Sequence, residues 1–306
     1  MDYLLVALGL VGLFAGGEFL VRGSVALARG FAISPLLIGL TVVGFGTSTP
    51  ELLVSVDAAW RGLPDIALGN VIGSNIANIL LIVGIAALVW PIAIAGASLR
   101  RDLAVMLVAA LVLLPFFMLE ELSRPAGGLL VASLVLYLFA AYRAGRSAPE
   151  PETEEVPTLS TGKALGVVAI GLVALMVGAR FLVDGAVAIA RDYAISEAFI
   201  GLTIVAVGTS LPELATSLIA AFRRQSEIAI GNVVGSNIFN ILGILGVTAL
   251  VAPIPVAPRF LAFDFPVMIG ASVLLAVMLI ARSKIGRLSG LALLLGYAIY
   301  VYAAQG

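Results

Sequence analysis

Two glutamates set in long apolar surroundings are the residues of this chain best placed to do chemistry. Glu51 closes the run Gly44-Phe45-Gly46-Thr47-Ser48-Thr49-Pro50-Glu51, and Glu213 closes Ala206-Val207-Gly208-Thr209-Ser210-Leu211-Pro212-Glu213. An acid near the centre of a membrane helix costs at least ~2.5–3.5 kcal/mol, so it marks a function or a partner. Pro50 and Pro212 cannot donate to the preceding turn, which frees carbonyls and lets the helix break. Irregular backbone at membrane depth is tolerated only against protein or a water-lined cavity. Each break therefore gathers carbonyls, hydroxyls and one carboxylate. A second pair of runs, Gly69 to Asn78 and Gly231 to Asn240, puts Ser74 and Asn78 on one helix face, and Ser236 and Asn240 on another, at i, i+4 spacing. Gly69 with Gly73, and Gly231 with Gly235, form G-x-x-x-G faces suited to close helix approach. Polar groups on such a face serve either as interhelical hydrogen bonds or as a second wall of the site. Beside two broken helices with paired Glu, the second wall is the more economical reading.

The elements that must position these groups follow from composition. Of 306 residues, 61% are apolar and 11% are charged, against ~45–50% and ~25% in soluble domains. Mean hydropathy is +1.16. Such a chain is solvated by lipid. Net charge is −1, which gives a nucleic acid nothing to bind. The chain has no histidine and no cysteine, so thiol or imidazole nucleophiles, disulfides and the usual zinc, copper and haem sites are excluded. What remains is an oxygen inventory suited to hard cations such as Ca²⁺ and Na⁺. A bilayer core takes ~20 helical residues to cross. Ten such stretches are expected, near 3–21, 34–59, 66–90, 102–119, 126–142, 163–186, 196–221, 228–251, 263–281 and 288–304. The fold expected is an all-α integral membrane protein. The N-terminus has no basic region ahead of its first apolar stretch, so no cleaved signal peptide is expected.

An internal repeat organises these spans. With the sequence shifted by 162 residues, Gly39–Ile82 lies over Gly201–Ile244 with 27 of 44 positions identical and no gap. Five spans separate each residue from its copy, and an odd number forces the second half to cross in the opposite sense. Inverted repeats of this kind are a mark of secondary transporters, whose site lies near the midplane between the halves. The expected units are 1–142, a polar linker 143–162, and 163–306. The linker holds Pro149, Pro151, Pro157 and the acids Glu150, Glu152, Glu154 and Glu155, and reads as a solvated loop. With alternating spans, Arg29, Arg100, Arg101, Arg143, Arg146, Lys163, Arg223, Arg224, Arg282, Lys284 and Arg287 share one side. Arg61, Arg124, Arg191 and Arg259 share the other. The first side is then cytoplasmic, with the linker there and both termini outside.

Acids outside the two motifs read as structural. Glu18 and Arg22 are an i, i+4 pair whose copies, Arg180 and Asp184, exchange the signs, so an intrahelical ion pair is expected in each half. Asp102 and its copy Asp264 each open a span and are expected to cap it, as are Asp65 and Glu227. Asp57, whose copy is Ile219, is expected at a solvated helix end.

The duplicated G-T-S-x-P-E and G-N-V-x-G-S-N-I-x-N motifs resemble the two alpha repeats of the cation/Ca²⁺ exchanger superfamily, above all the prokaryotic sodium/calcium exchangers. The resemblance covers nearly the whole chain. It implies a Ca²⁺ site between Glu51 and Glu213, completed by carbonyls of Thr47 and Thr209. It implies flanking sodium sites from Gly44, Thr47, Ser48 and Ser74 on one side and Ala206, Thr209, Ser210 and Ser236 on the other, with Asn78 and Asn240 bordering the centre. Relatives that include the potassium-dependent branch carry Asp where Asn240 stands, so two central carboxylates rather than three argue against potassium dependence.

The function expected is a secondary active antiporter, not an enzyme, that exchanges Na⁺ for Ca²⁺ by alternating access. Two carboxylates neutralise one Ca²⁺ or two Na⁺, so the ions compete. A third Na⁺ on neutral oxygens would make exchange electrogenic, and an inward sodium gradient would drive Ca²⁺ export. Ca²⁺/H⁺ antiport on the same fold is the alternative, with Glu51 and Glu213 carrying the protons. A passive channel fits less well, because two occluding carboxylates suit stoichiometric binding. An intramembrane acid-pair protease would be expected on an aspartyl motif. The expected setting is the plasma (inner) membrane, with Ca²⁺, Na⁺ and lipid as partners. No cofactor and no protein partner is signalled.

Overall fold

A computed structural model describes residues 2–31, 33–94, 97–145, 159–193, 206–282 and 284–304. The acids of the expected linker, Glu150 to Glu155, and much of the stretch expected at 196–221 lie outside the described residues.

The described chain is almost entirely helical. Among the described residues, seven helices are long and apolar enough to cross a membrane: Asp2–Gly30, Pro64–Val89, Leu99–Met118, Arg124–Arg143, Thr161–Asp192, Ser226–Val251 and Phe260–Ala281. Pro35–Thr47 and Thr49–Trp60, bent by 44° at Ser48, make an eighth if the pair is one broken span. Leu211–Phe222 and Arg287–Ala303 are shorter apolar helices. The Pro50 break expected from sequence is thus present, with the proline in the first turn of the new helix, where its missing N–H leaves no bond unmade. Pro212 opens Leu211–Phe222 in the same way.

Two helices form the centre. Pro64–Val89 and Ser226–Val251 have 78% and 89% of their most apolar stretches buried in protein, against 33% and 28% for Asp2–Gly30 and Thr161–Asp192, which leave most of those stretches on the protein's surface. Both central helices widen into π-helical turns, at Asn78–Ile82 and Phe239–Leu245, beside the asparagines expected at the site. Such turns leave the regular hydrogen-bond ladder and recur at functional positions.

Two short antiparallel strand pairs tie distant parts of the chain: Ile92–Ala93 with Lys284–Ile285, and Glu121–Leu122 with Ile254–Pro255. The turns after Trp60 and after Phe222 share a left-handed residue at equivalent positions. It is Gly62 (φ 74°) in the first and Arg224 (φ 58°) in the second. Glycine adopts that conformation freely, whereas arginine adopts it at a cost.

Glycines set how closely the helices approach. A Cβ on Gly9 would lie 2.5 Å from the Leu182 backbone nitrogen, and one on Gly178 would lie 2.7 Å from that of Leu13, so Asp2–Gly30 and Thr161–Asp192 lie antiparallel in backbone contact. A Cβ on Gly235 would lie 2.3 Å from the Leu40 carbonyl oxygen, and one on Gly231 would lie 2.7 Å from that of Leu36. The first-half glycines differ. Gly69 faces the Phe260 ring at 3.8 Å, and no described residue comes within 4 Å of the space a Gly73 Cβ would fill. The segment equivalent to Leu36–Leu40 in the second half lies outside the described residues.

The Gly235 contact makes a stability prediction. Gly235→Ala meets backbone that cannot swing aside, and overpacking of that kind costs about 1–3 kcal/mol or more. Gly270→Ala, with no described residue within 4 Å of its Cβ, instead gains helix propensity of roughly 0.5–1 kcal/mol. Thermal unfolding in detergent should therefore fall for the first variant and hold or rise for the second. Equal midpoints would remove the close packing at Gly235.

Candidate ion site

Each glutamate sits in the first turn of a helix that starts at the break. Glu51 is on Thr49–Trp60 and Glu213 is on Leu211–Phe222, and both are about 1% exposed. The N-terminal end of a helix dipole favours a carboxylate there. Neither serine before the break, Ser48 or Ser210, caps its own helix with its side chain. Each reaches across instead. Ser48 Oγ donates to Glu213 Oε1 at 2.9 Å, and Ser210 Oγ donates to Glu51 Oε1 at 3.3 Å. The two acids are thereby linked through each other's serines.

The second wall closes the site. Ser74 Oγ lies 3.4 Å from Ser210 Oγ, and Ser236 Oγ donates to the Gly44 carbonyl at 3.3 Å. Asn78 Nδ2 donates to Asn237 Oδ1 at 3.0 Å, and Asn240 Nδ2 donates to Asn75 Oδ1 at 3.4 Å. Both bonds spend the amide N–H and leave the amide oxygen. Asn78 Oδ1, Asn240 Oδ1, Glu51 Oε2 and Glu213 Oε2 are all buried with no hydrogen-bond partner among the described residues. Leaving one buried acceptor unsatisfied costs roughly 1–3 kcal/mol, and more for a charged one. Carboxylate and amide oxygens are the donor types that hard cations take. Among the described residues, no group of three or more acids, histidines or cysteines could hold a metal.

Thr47 Oγ1 lies 3.1 Å from the Val43 carbonyl and 3.0 Å from Asn232 Oδ1. The equivalent hydroxyl of Thr209 is buried and has no partner among the described residues. Ala206 opens the short helix Ala206–Gly208 just ahead of Thr209 and Ser210. Among the described hydrogen bonds, the expected residues meet across the halves. Ser74 lies with Ser210, and Ser236 lies with Gly44.

Four residues without an assigned role from sequence hold the break. Asn70 Nδ2 lies 3.1 Å from the Glu51 carbonyl and 2.9 Å from Ser55 Oγ. Asn232 Nδ2 repeats this with the Glu213 carbonyl at 3.2 Å and Ser217 Oγ at 2.9 Å. The signal was in the repeat, because Ser55 matches Ser217 and Asn70 matches Asn232.

The acids outside the site divide. Glu18 with Arg22, Arg180 with Asp184 and Arg61 with Asp57 are i, i+4 ion pairs, as the spacing predicts for the first two. Asp65 and Glu227 lie in first turns, and Glu227 also accepts the Leu36 N–H at 3.3 Å. Asp102 and Asp264 are not caps. The helix around Asp102 begins at Ala97, so Asp102 lies beyond its first turn, and its buried Oδ1 takes Arg101 Nε at 2.8 Å and Tyr137 OH at 3.4 Å. Asp264 ends a π-helical turn and ties Tyr300 OH at 3.0 Å to Arg259 Nε at 3.4 Å.

The chain matches a family model described as sodium/calcium exchanger protein over residues 1–143 and 163–305. It is 40% identical to the putative antiporter CaxA of Alkalimonas amylolytica over 97% of this chain and 96% of that protein. It is 33% identical to the sodium/calcium exchanger MaX1 of Methanosarcina acetivorans over 98% of this chain and 97% of that protein. Its fold superposes on a structure of the sodium-calcium exchanger NCX_Mj soaked with Na⁺ and Ca²⁺. The TM-score is 0.87 at 36% identity, over 98% of this chain and 97% of the other.

Proposed function

Because this chain belongs to the sodium/calcium exchanger protein family, a family of transporters, we propose that it exchanges Na⁺ for Ca²⁺ across the membrane as a secondary active antiporter working by alternating access. The observation that carries this reading is the set of four unpartnered buried oxygens on Glu51, Glu213, Asn78 and Asn240. Two carboxylates balance one Ca²⁺ or two Na⁺, so either load empties the centre of the other. The flanking sodium sites then combine the halves: Gly44, Thr47, Ser48 and Ser236 on one side, and Ala206, Thr209, Ser210 and Ser74 on the other. This grouping follows the hydrogen bonds between Ser236 and Gly44 and between Ser210 and Ser74. A third Na⁺ held by neutral oxygens makes the exchange electrogenic, and an inward sodium gradient makes Ca²⁺ export the normal direction.

The architecture that serves this cycle is ten spans in two inverted repeats, 1–142 and 163–306, joined by the loop 143–162. The recurrence of the Asn70–Ser55 bond as Asn232–Ser217 supports the register. The basic residues orient the chain in the plasma (inner) membrane with that loop cytoplasmic and both termini outside.

The test is Na⁺-gradient-driven ⁴⁵Ca²⁺ uptake into proteoliposomes, with Na⁺ and pH varied independently. Uptake should follow the sodium gradient at constant pH. Uptake driven by a proton gradient in the absence of Na⁺ would replace this reading with Ca²⁺/H⁺ antiport.

A further inference from the structure

Glu18 is the meeting point of two arginines from different helices. Its side chain is only 14% exposed. It pairs with Arg22 on its own helix and with Arg223 at the end of Leu211–Phe222, the helix that carries Glu213. Arg223 Nε donates to Glu18 Oε2 at 3.0 Å, and a second guanidinium nitrogen reaches Oε1, so the contact is two-pronged. The arginine is held in place by its turn. Arg224 adopts φ 58° and lays its guanidinium 4.3 Å over the Trp90 ring. Ile219, one turn before Arg223, packs against Gly17, next to Glu18.

The repeat makes this contact one-sided. Arg223 has Arg61 as its copy, but Glu18 has Arg180, so the equivalent approach in the other half would bring two arginines together. In this structure Arg61 turns to Asp57 on its own helix, and Arg180 turns to Asp184. Arg223 has no such alternative, because its i−4 neighbour is Ile219 where Arg61 has Asp57.

We propose that Glu18–Arg223 is a conformational latch. It holds shut the end of the molecule that carries Arg223, and the mismatched copy Arg180–Arg61 leaves the opposite end without an equivalent, so the resting equilibrium is biased toward the conformation seen here. The proposal rests on the inverted-repeat, alternating-access reading, in which closing one end opens the other. A ligand-free bias of this kind acts on every ion that enters, because the competent population scales apparent affinity from each side.

The test is hydrogen–deuterium exchange of the full chain in lipid nanodiscs without Na⁺ or Ca²⁺, read at two turns, 219–226 and 57–64. E18Q should speed exchange at 219–226 and slow it at 57–64, each by about 2- to 5-fold, the range a partly exposed ion pair supports. The charge swap E18R with R223E should restore the wild-type pattern. R180E, at a side chain largely outside the protein core, supplies an acid opposite Arg61 and should move both turns the other way. A merely local contact would alter 219–226 alone. Change confined to that turn, no change at either turn, or no effect of R180E at 219–226 would overturn the latch. Exchange is read without ions, so a failed Ca²⁺ flux assay would remove the transport reading and leave this result to be judged separately.

Discussion

Glu51→Gln and Glu213→Gln are each expected to abolish Ca²⁺ transport while the protein still folds. Glutamine keeps an oxygen for the serine that now bonds the carboxylate, Ser210 Oγ to residue 51 and Ser48 Oγ to residue 213. The cross-links between the two broken helices therefore survive. The charge does not. One remaining carboxylate leaves a buried Ca²⁺ half neutralised, and breaking a buried ionic set by removing one partner costs about 3–5 kcal/mol. That corresponds to roughly a hundred- to several thousand-fold loss of affinity. The measurements are ⁴⁵Ca²⁺ flux in vesicles and Ca²⁺ titration of detergent-purified protein, with size-exclusion profiles to establish folding. Flux near the wild-type rate from either variant would sink the central assignment.

The residues most readable in the sequence are those whose cost is plain without a structure. A glutamate after a proline inside an apolar run has no cheap explanation, and finding it twice at one offset removes chance. Glu51, Glu213 and the bend at Ser48 follow from that argument. The repeat also paired residues by equivalence, Ser74 with Ser236 and Asn78 with Asn240. Equivalence is not adjacency, however. Two related halves facing each other bring a residue to the other half's wall, which is why Ser74 meets Ser210 and Ser236 meets Gly44. Grouping the flanking residues by half missed this. Asn70 and Asn232 were visible as repeated polar residues, but their target is a backbone carbonyl in the first turn after the break, and no sequence spacing announces such a bond. Asp102 misled for a simpler reason. Apolar residues mark where lipid begins, whereas the helix runs on past that boundary to Ala97, so an acid at the edge of the apolar run is not at the end of the helix.

Asn240→Asp is expected to change ion binding more than folding, in a way that depends on pH. Asn240 now donates to Asn75 Oδ1, and its own Oδ1 is buried without a partner. A protonated Asp keeps that arrangement, with an O–H donor toward Asn75 and a neutral carbonyl toward the site. An ionised Asp would set a carboxylate against Asn75 Oδ1 unless Asn75 turned its amide round. Turning costs Asn75 only a 3.7 Å contact from Nδ2 to the Met268 sulfur, so the ionised form is reachable. Three acids around one small site cannot all ionise while it is empty, and a bound cation favours losing the last proton. At low pH the variant should therefore behave like wild type. As pH rises the proton leaves, the third negative charge tightens the hold on Ca²⁺, and KM for Ca²⁺ should fall by roughly tenfold, about 1.4 kcal/mol. Tighter binding without matching release should lower maximal flux over the same range. Asn78→Asp is the control. Its partner Asn237 also reaches the Asn75 carbonyl at 3.5 Å and the Met106 sulfur at 3.8 Å, so its amide is harder to turn. That variant should hold its proton longer and show the transition at higher pH. Na⁺-driven Ca²⁺ flux across pH 5.5–8.5 for wild type and both variants measures all of this. Superimposable profiles would return both asparagines to helix packing and leave Glu51 and Glu213 as the whole of the charged centre.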